Sequence, residues 1–267
     1  MNFKGKKGTK QYSSYVERAL RRLGYKTMHQ IVDMSEYGVP QNRKRFILVA
    51  MRDYFPKDVF ETLARNKDAF CLSKGISCTT SIKDAISDLE QANGSMPSPD
   101  TKGFMAGIYG PEQSGYQRLM RSGIETTGLI ADSHRFVNHR KNTIKLHKEL
   151  LEKAPVGKRI TPSDNIVENL NRRGVTVLDA NAQAPTVTSI PDELVHYKEP
   201  RILTVREHAR IQSFPDWFEF KGQYTSGGKR RKQEVPRYTQ VGNAVPPLFA
   251  EQVGLAILEV LSHEQPK

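Results

Sequence analysis

Cysteine is scarce. Two residues in 267, Cys71 and Cys78, cannot build a disulfide framework or supply a four-ligand zinc site by themselves, and no metal is expected. Long apolar runs are missing as well. Stretches such as Phe46 to Met51 fall far short of the ~18 residues that a membrane span requires. The basic N-terminus, Met-Asn-Phe-Lys-Gly-Lys-Lys, is followed by no apolar segment, which excludes a secretory signal. Acidic residues are outnumbered, 29 against 41 lysines and arginines, for a formal charge of +12. Neither internal repeats nor long low-complexity tracts occur. What is there, 37% apolar and 8% aromatic residues, suffices for a core and excludes wholesale disorder. The expectation is a soluble, cytoplasmic protein whose surplus charge suits a polyanion such as nucleic acid. In a prokaryote it would be associated with the nucleoid.

Along the chain, residues 1–10 read as a frayed basic tail. Tyr15, Val16, Ala19, Leu20 and Leu23 recur at helical spacing, and Gly24 supplies a stop. Tyr25 to Met34 favours extended backbone, and Arg45 to Met51 reads as a buried strand. From residue 53 to about 200, short apolar runs alternate with Gly, Pro, Ser, Asn and Asp. Short helices are expected there at Ser81–Ala92 and Thr143–Ala154, with loops and short strands elsewhere. Thr204-Val-Arg-Glu207 has the pattern of a capping box. Residues 221–237 form a basic loop containing Lys229, Arg230 and Arg231, which suits DNA. A final helix opens at Pro246-Pro247 with a stripe of Leu248, Phe249, Val253, Ala256, Ile257, Val260 and Leu261, which needs a sheet to pack on.

Three motifs carry chemistry. In Tyr37-Gly-Val-Pro-Gln-Asn-Arg-Lys-Arg45, an extended backbone would project Gln41, Arg43 and Arg45 from one face, a set of forked donors suited to phosphate, carboxylate or a base edge. In Arg206-Glu-His-Ala-Arg210-Ile-Gln-Ser-Phe-Pro-Asp216, Arg206 and Arg210 share a helix face. In Gln240-Val-Gly-Asn-Ala-Val-Pro-Pro247, Gly242 permits close backbone approach beside a helix start. Each motif alone also fits an ordinary charged turn, surface pair or helix opening.

Together and in this order, they resemble the C-terminal half of the DNA cytosine-5 methyltransferases. That family has a Gln-x-Arg-x-Arg strand, a variable target-recognition domain, an Arg-x-x-x-Arg-x-Gln-x-Phe-Pro-Asp helix and a Gly-Asn-x-Val-Pro-Pro helix. Ala184-Pro-Thr-Val-Thr-Ser189, His196-Tyr and Pro200-Arg-Ile-Leu-Thr204 also look familial. The resemblance implies an α/β fold: a partial Rossmann-like methyltransferase sheet with a smaller, mixed target-recognition domain. Residues 1–52 would belong to the catalytic domain and 53–203 to target recognition. Residues 204–267 would brace that domain and return to the catalytic one. Arg45 and Arg43 would border a flipped cytosine, with Gln41 shaping that wall. Thr186 and Val187 would lie at the DNA face. Arg206 and Arg210, with Gln212 and Asp216, would be structural braces. Asn243, Ala244 and Val245 would close a pocket for S-adenosylmethionine, with backbone contacts at Ala244, where some relatives carry a hydroxyl.

The family's Pro-Cys nucleophile, its Glu-Asn-Val glutamate and its glycine-rich cofactor turn are not found. Cys71 follows Phe70 and Cys78 follows Ser77. Glu168-Asn169-Leu170 and Phe104-Met-Ala-Gly-Ile-Tyr-Gly110 are imitations in the wrong context. The resemblance therefore implies one subunit of a split enzyme. It would act on double-stranded DNA with an N-terminal subunit that carries the nucleophile, and a strand edge and apolar helix stripe would be left open for that partner. An inactive truncated fragment and a stand-alone DNA-binding module are the alternatives.

Overall fold

The computed structural model describes residues 2–5, 8–124, 130–170, 173–225 and 234–262, with side chains from residue 12 onward. The N-terminus is not a frayed tail. Strands β1 (Asn2–Gly5) and β2 (Gly8–Gln11) pair antiparallel, with Gly5 opposite Gly8 next to the turn. Helix α1 (Tyr12–Arg22) follows, and its last turn carries Arg21 and Arg22, which suit the negative end of the helix dipole. Gly24, at φ +85°, turns the chain into β3 (Lys26–Asp33), which pairs antiparallel with β4 (Lys44–Met51) from Lys26↔Met51 to Asp33↔Lys44.

The expectation of a buried strand after Arg45 is corrected. Only Val49 of β4 is buried, and Phe46 is 42% exposed. The two-stranded ribbon has one well-covered face, where Met28, Val32, Ile47, Val49 and Met51 meet the main core. On the other face α1 lies over one end, Arg21 donating to Thr27 and Glu17 meeting His29, while Ile31 is 66% exposed.

An unforeseen helix, α2 (Pro56–Ser73), begins with proline in its first turn and packs on β3, β4 and the last helix. The boundary expected at residue 52 thus falls between elements that share one core. Cys71, near the end of α2, is disulfide-bonded to Cys78, with Cα atoms 5.6 Å apart. The helix expected over Ser81–Ala92 is shorter: α3 (Ile82–Ile86), capped by Ser81, gives way to single 3-10 turns, and Glu90 is extended at ψ 143°.

Beyond it, β5 (Ser95–Pro97) and β6 (Met105–Ile108) form an antiparallel sheet with β7 (Ile130–Arg135), and α4 (Gly115–Arg121) sits between β6 and β7 in sequence. Helix α5 (Lys141–Lys153) packs on a small mixed sheet of β8 (Arg159–Ile160), β9 (Val175–Val177) and β10 (Leu194–Val195). This region has its own core of Leu150, Ile160, Val167, Val175, Val177 and Val195. The main core runs from β3 to the C-terminal helices.

Helix α6 (Val205–Ile211) starts on the capping box read from the sequence: the Thr204 side chain accepts from Glu207 N, and the Glu207 carboxylate accepts from Thr204 N. Helices α7 (Arg237–Asn243) and α8 (Pro247–Ser262) complete the fold. By length and composition, 237–262 is apolar enough to cross a bilayer. It is nevertheless broken at 244–246, and Leu248, Phe249, Ala256 and Val260 are buried in the main core. The stripe of α8 therefore lies chiefly on a helix, α2, rather than on the expected sheet.

Candidate functional site

The three motifs meet at one buried junction. Pro40 and Asn42 pair with Ala184, Ala184 N donating to Pro40 O at 3.0 Å and Asn42 N to Ala184 O at 2.8 Å. Gln41, fully buried, uses both ends of its amide. Its Oε1 accepts from Val187 N at 3.0 Å, and its Nε2 donates to Gln212 Oε1 at 2.7 Å and Ile211 O at 3.2 Å. Gln212 passes the link on, donating to Val241 O at 2.9 Å. Arg43, 5% exposed, donates to the carbonyls of Val187 (3.1 Å), Gly242 (3.2 Å) and Ala244 (3.2 Å). No carboxylate stands against it. Burial, and then the neighbouring Arg45, push its guanidinium down to about 10. Four segments far apart in sequence are thereby fixed at hydrogen-bond distance, and each buried polar group is satisfied.

Gly242 fits this junction because it has no side chain. A Cβ there would lie 2.5 Å from the backbone carbon and oxygen of Thr188 and 2.6 Å from Ser189 N. Gly242→Ala is expected to push α7 off the 188–189 backbone, disturb the carbonyls that Arg43 binds, and cost about 1–3 kcal/mol in a denaturant melt.

Gln41, Arg43 and Arg45 do not converge on one open face. Gln41 and Arg43 turn inward, whereas Arg45, partly exposed on β4, donates to its neighbour's carbonyl, Lys44 O, at 2.8 Å. Val187 is also inward: its side chain is 1% exposed in the core and cannot touch DNA as the resemblance implied. Thr186 Oγ1 donates to Asn42 O at 2.7 Å. Asn243 is exposed, and its side-chain amide makes no hydrogen bond to the described residues. Val245 is 58% exposed, while Ala244 turns its carbonyl to Arg43. The ledge 243–245 thus presents an amide and an apolar side chain at the surface.

Arg206 and Arg210 are both fully buried. Arg206 donates to Asp132 O (2.8 Å), Asp132 Oδ2 (3.1 Å), Pro215 O (3.1 Å) and Phe218 O (2.6 Å). Arg210 grips Asp216 through Nε (2.5 Å) and Nη2 (2.6 Å), and Asp88 at 3.2–3.3 Å. Asp88 and Asp132 belong to the stretch between residues 53 and 203, so this helix ties that stretch to the junction. Lys229, Arg230 and Arg231 lie outside the described residues. Among the described residues, no cluster of His, Cys, Asp and Glu could hold a metal. Both cysteine sulfurs are engaged with each other, so neither is a free thiol.

The fold is the α/β methyltransferase fold. The backbone superposes on a crystal structure of a candidate DNA modification methyltransferase encoded within an E. coli prophage, with TM-score 0.60 and 20% identity over 94% of this chain and 66% of that one. The chain belongs to the C-5 cytosine-specific DNA methylase family, whose family model matches residues 4–259. It is 27% identical to the type II methyltransferase M.XorII of Xanthomonas oryzae pv. oryzae, over 97% of this chain and 57% of that protein. To M.Bpa9945I of Bacillus paralicheniformis it is 30% identical, over 87% and 51%. M.AquIB of Picosynechococcus is 39% identical over 48% of this chain and 88% of its own length. The chain thus spans about half the length of most of these curated relatives.

Proposed function

We propose that this chain is the target-recognition and C-terminal part of a DNA (cytosine-5) methyltransferase, acting as one subunit of a split enzyme. A second chain supplies the Pro-Cys nucleophile, the base-holding glutamate and most of the cofactor site. The observation that carries this reading is a contrast. Three family motifs are welded into one junction, yet neither cysteine follows a proline and both are disulfide-bonded. The partly uncovered β3–β4 ribbon, with Ile31 and Phe46 exposed, and the exposed Leu255, Leu258 and Leu261 on α8 give such a chain an apolar surface to dock on. A short relative, M.AquIB, matches over nearly all of its own length.

Within the assembled enzyme, a cysteine thiolate adds to C6 of a flipped cytosine and makes C5 nucleophilic. S-adenosylmethionine supplies the methyl group. Arg45, the member of its trio with an accessible guanidinium, contacts the flipped nucleotide. Arg43 and Gln41 are positioning residues that hold the wall behind it. Asn243 and Val245 offer one side of the cofactor pocket. Thr186 and the stretch 221–237 face DNA.

The test is reconstitution. The purified chain, given DNA and labelled S-adenosylmethionine, is expected to transfer no methyl group. Co-expressed with a neighbouring chain carrying Pro-Cys and Glu-Asn-Val, it should form a stable complex that methylates cytosine. Arg45→Ala should leave assembly intact and lower turnover about 100-fold, as loss of a charged donor at a reacting group does. Methyl transfer by the chain alone would overturn the split. Failure to assemble would favour an inactive fragment.

A further inference from the structure

One arginine in the middle of the chain, Arg135, forms no ion pair with the described residues. Its side chain, at the end of β7, makes no hydrogen bond with the described residues either. Its Nε is buried and unsatisfied. The residue as a whole is partly exposed. The guanidinium lies against two aromatic rings, 4.0 Å from the centroid of Phe104 and 3.7 Å from that of Tyr224. Stacking of this kind fixes the guanidinium plane and leaves its in-plane N–H groups unused.

The contrast with Arg237 is informative. That guanidinium also stands over Tyr224, at 4.3 Å, but Asp100 neutralises it at 2.6 Å and Ser133 Oγ accepts from it at 2.9 Å. Asp100 further accepts from Tyr224 Oη at 3.0 Å. Asp100 is near enough for Arg135 to feel its charge, but its hydrogen bonds go to Arg237 and Tyr224, so the Arg135 guanidinium is left oriented with no ion pair to the described residues. The two ring contacts offset part of the desolvation of this half-buried guanidinium, but they leave its N–H groups without acceptors among the described residues.

Tyr224 also lines a groove of about 220 Å³ with Arg173, Ser189, Asp192, Thr225 and Pro236. The groove starts two residues beyond Val187, whose carbonyl Arg43 holds. Thr225 and Pro236 bound the stretch of sequence that carries Lys229, Arg230, Arg231 and Lys232 against Glu234 alone.

We propose that Arg135 is a DNA-contacting residue, its terminal N–H fork held in plane by Phe104 and Tyr224 so that it takes a pair of acceptor atoms on the nucleic acid. Phosphate oxygens and the O6/N7 edge of guanine both present such a pair. This inference rests on the DNA methyltransferase reading above and adds a contact that none of the family motifs contains.

The experiment compares the full-length chain with Arg135→Gln and Arg135→Lys. Binding to fluorescent duplexes is measured by anisotropy across a series of salt concentrations, one duplex containing only A·T pairs and one rich in G·C. Arg135→Gln should weaken binding about tenfold, and Arg135→Lys, which keeps the charge but loses the planar fork, should recover only part of that loss. Lys57→Gln, an exposed basic site on α2, should change affinity less than twofold. If Arg135 holds phosphate, both duplexes lose equally and the salt slope falls by about one. If it reads guanine, the loss is confined to the G·C-rich duplex. Either pattern supports the proposal. Unchanged affinity in both variants overturns it while leaving the methyltransferase reading intact, and full recovery by Arg135→Lys overturns the fork. No DNA binding by the unaltered chain, alone or co-expressed with the second chain, removes both this inference and the reading beneath it. Should Arg135→Gln fail to fold by circular dichroism, Arg135→Lys carries the test alone.

Discussion

Arg210→Met should cost about 3–5 kcal/mol of folding stability, the range typical when one member of a buried ion cluster is removed. Methionine fills most of the volume, so the loss is electrostatic rather than a cavity. It leaves Asp88 and Asp216 in the interior with no guanidinium between them, and both carboxylates are fully buried. In the intact protein burial would raise Asp216, but Arg210 outweighs this and holds it below the ordinary aspartate range. Asp88 ends above that range, because burial exceeds the help it receives from Arg210. Arg210 bridges the two acids, and Asp216, bonded to it twice at 2.5 and 2.6 Å, takes the larger share, with Arg206 3.7 Å from Asp216 and Arg121 3.6 Å from Asp88 as weaker second cations. In the variant both acids should be raised. Protonation then relieves the penalty, so the gap between variant and parent in urea melts should be widest near neutral pH and narrow as pH falls toward 4. Adding Asp216→Asn to Arg210→Met should restore part of the loss. A gap that stays constant with pH would show that packing, not charge, holds Arg210 in place. With total stabilities of about 5–15 kcal/mol for such domains, the variant should be close to unfolding at neutral pH.

The sequence disclosed local signals far better than long-range pairings. The Thr204 capping box and the turn at Gly24 depend on residues within a few positions of each other, and both formed where read. The period of α8 was legible, but its partner was not. Apolar spacing says that a face is buried and is silent about whether a sheet or a helix covers it. Helix α2 escaped notice because buried Val59, Phe60, Leu63 and Phe70 are spread among lysines, asparagine and acids, with the breaks that mark a loop-rich region following closely. The motif residues were visible as types and spacings. Their orientations were not: period two on an extended strand put Gln41, Arg43 and Arg45 on one open face, yet Gln41 is held by a segment 171 residues away and Arg43 by one 199 away. Asp88 and Asp132, the partners of the two helix arginines, carry no local mark at all. Each sits 74 to 122 residues from its arginine, and only the folded chain brings them together.

Acid should unfold this protein through its histidines. His134 and His208 are pushed down to about 4 and His196 to about 3, burial being the largest cause for each, with Arg201 adding to the effect at His196. The hydrogen bonds agree. His196 Nδ1 accepts from the backbone N–H groups of Lys198 and Glu199, both at 3.1 Å, so protonating it would sacrifice two bonds. His134 Nδ1 meets Thr204 Oγ1 at 2.9 Å and His208 Nδ1 meets Thr204 O at 3.1 Å, while the second ring nitrogen of all three is buried without a partner. The native state therefore keeps these rings neutral. An unfolded chain titrates them near 6.5. Between about pH 6.5 and 4 the unfolded state binds more protons than the native state, so stability falls as pH falls, by about 1.4 kcal/mol per pH unit for each histidine fully inside that window. Glu207, paired with Arg201 at 2.7 and 2.8 Å, is held well below the usual carboxylate range and keeps its contribution throughout. Three histidines acting together should lower the urea midpoint steeply from pH 6.5 to 5, with little change from pH 8 to 7. His139, pushed down to about 4, and His147, also pushed down, both by burial first, add to the same slope, so His208→Gln, which retains a polar group without a titrating ring, should flatten it by about one fifth. A midpoint that is level from pH 7.5 to 5 would mean that the rings are reached by water and titrate normally in the native state, contrary to the burial seen here.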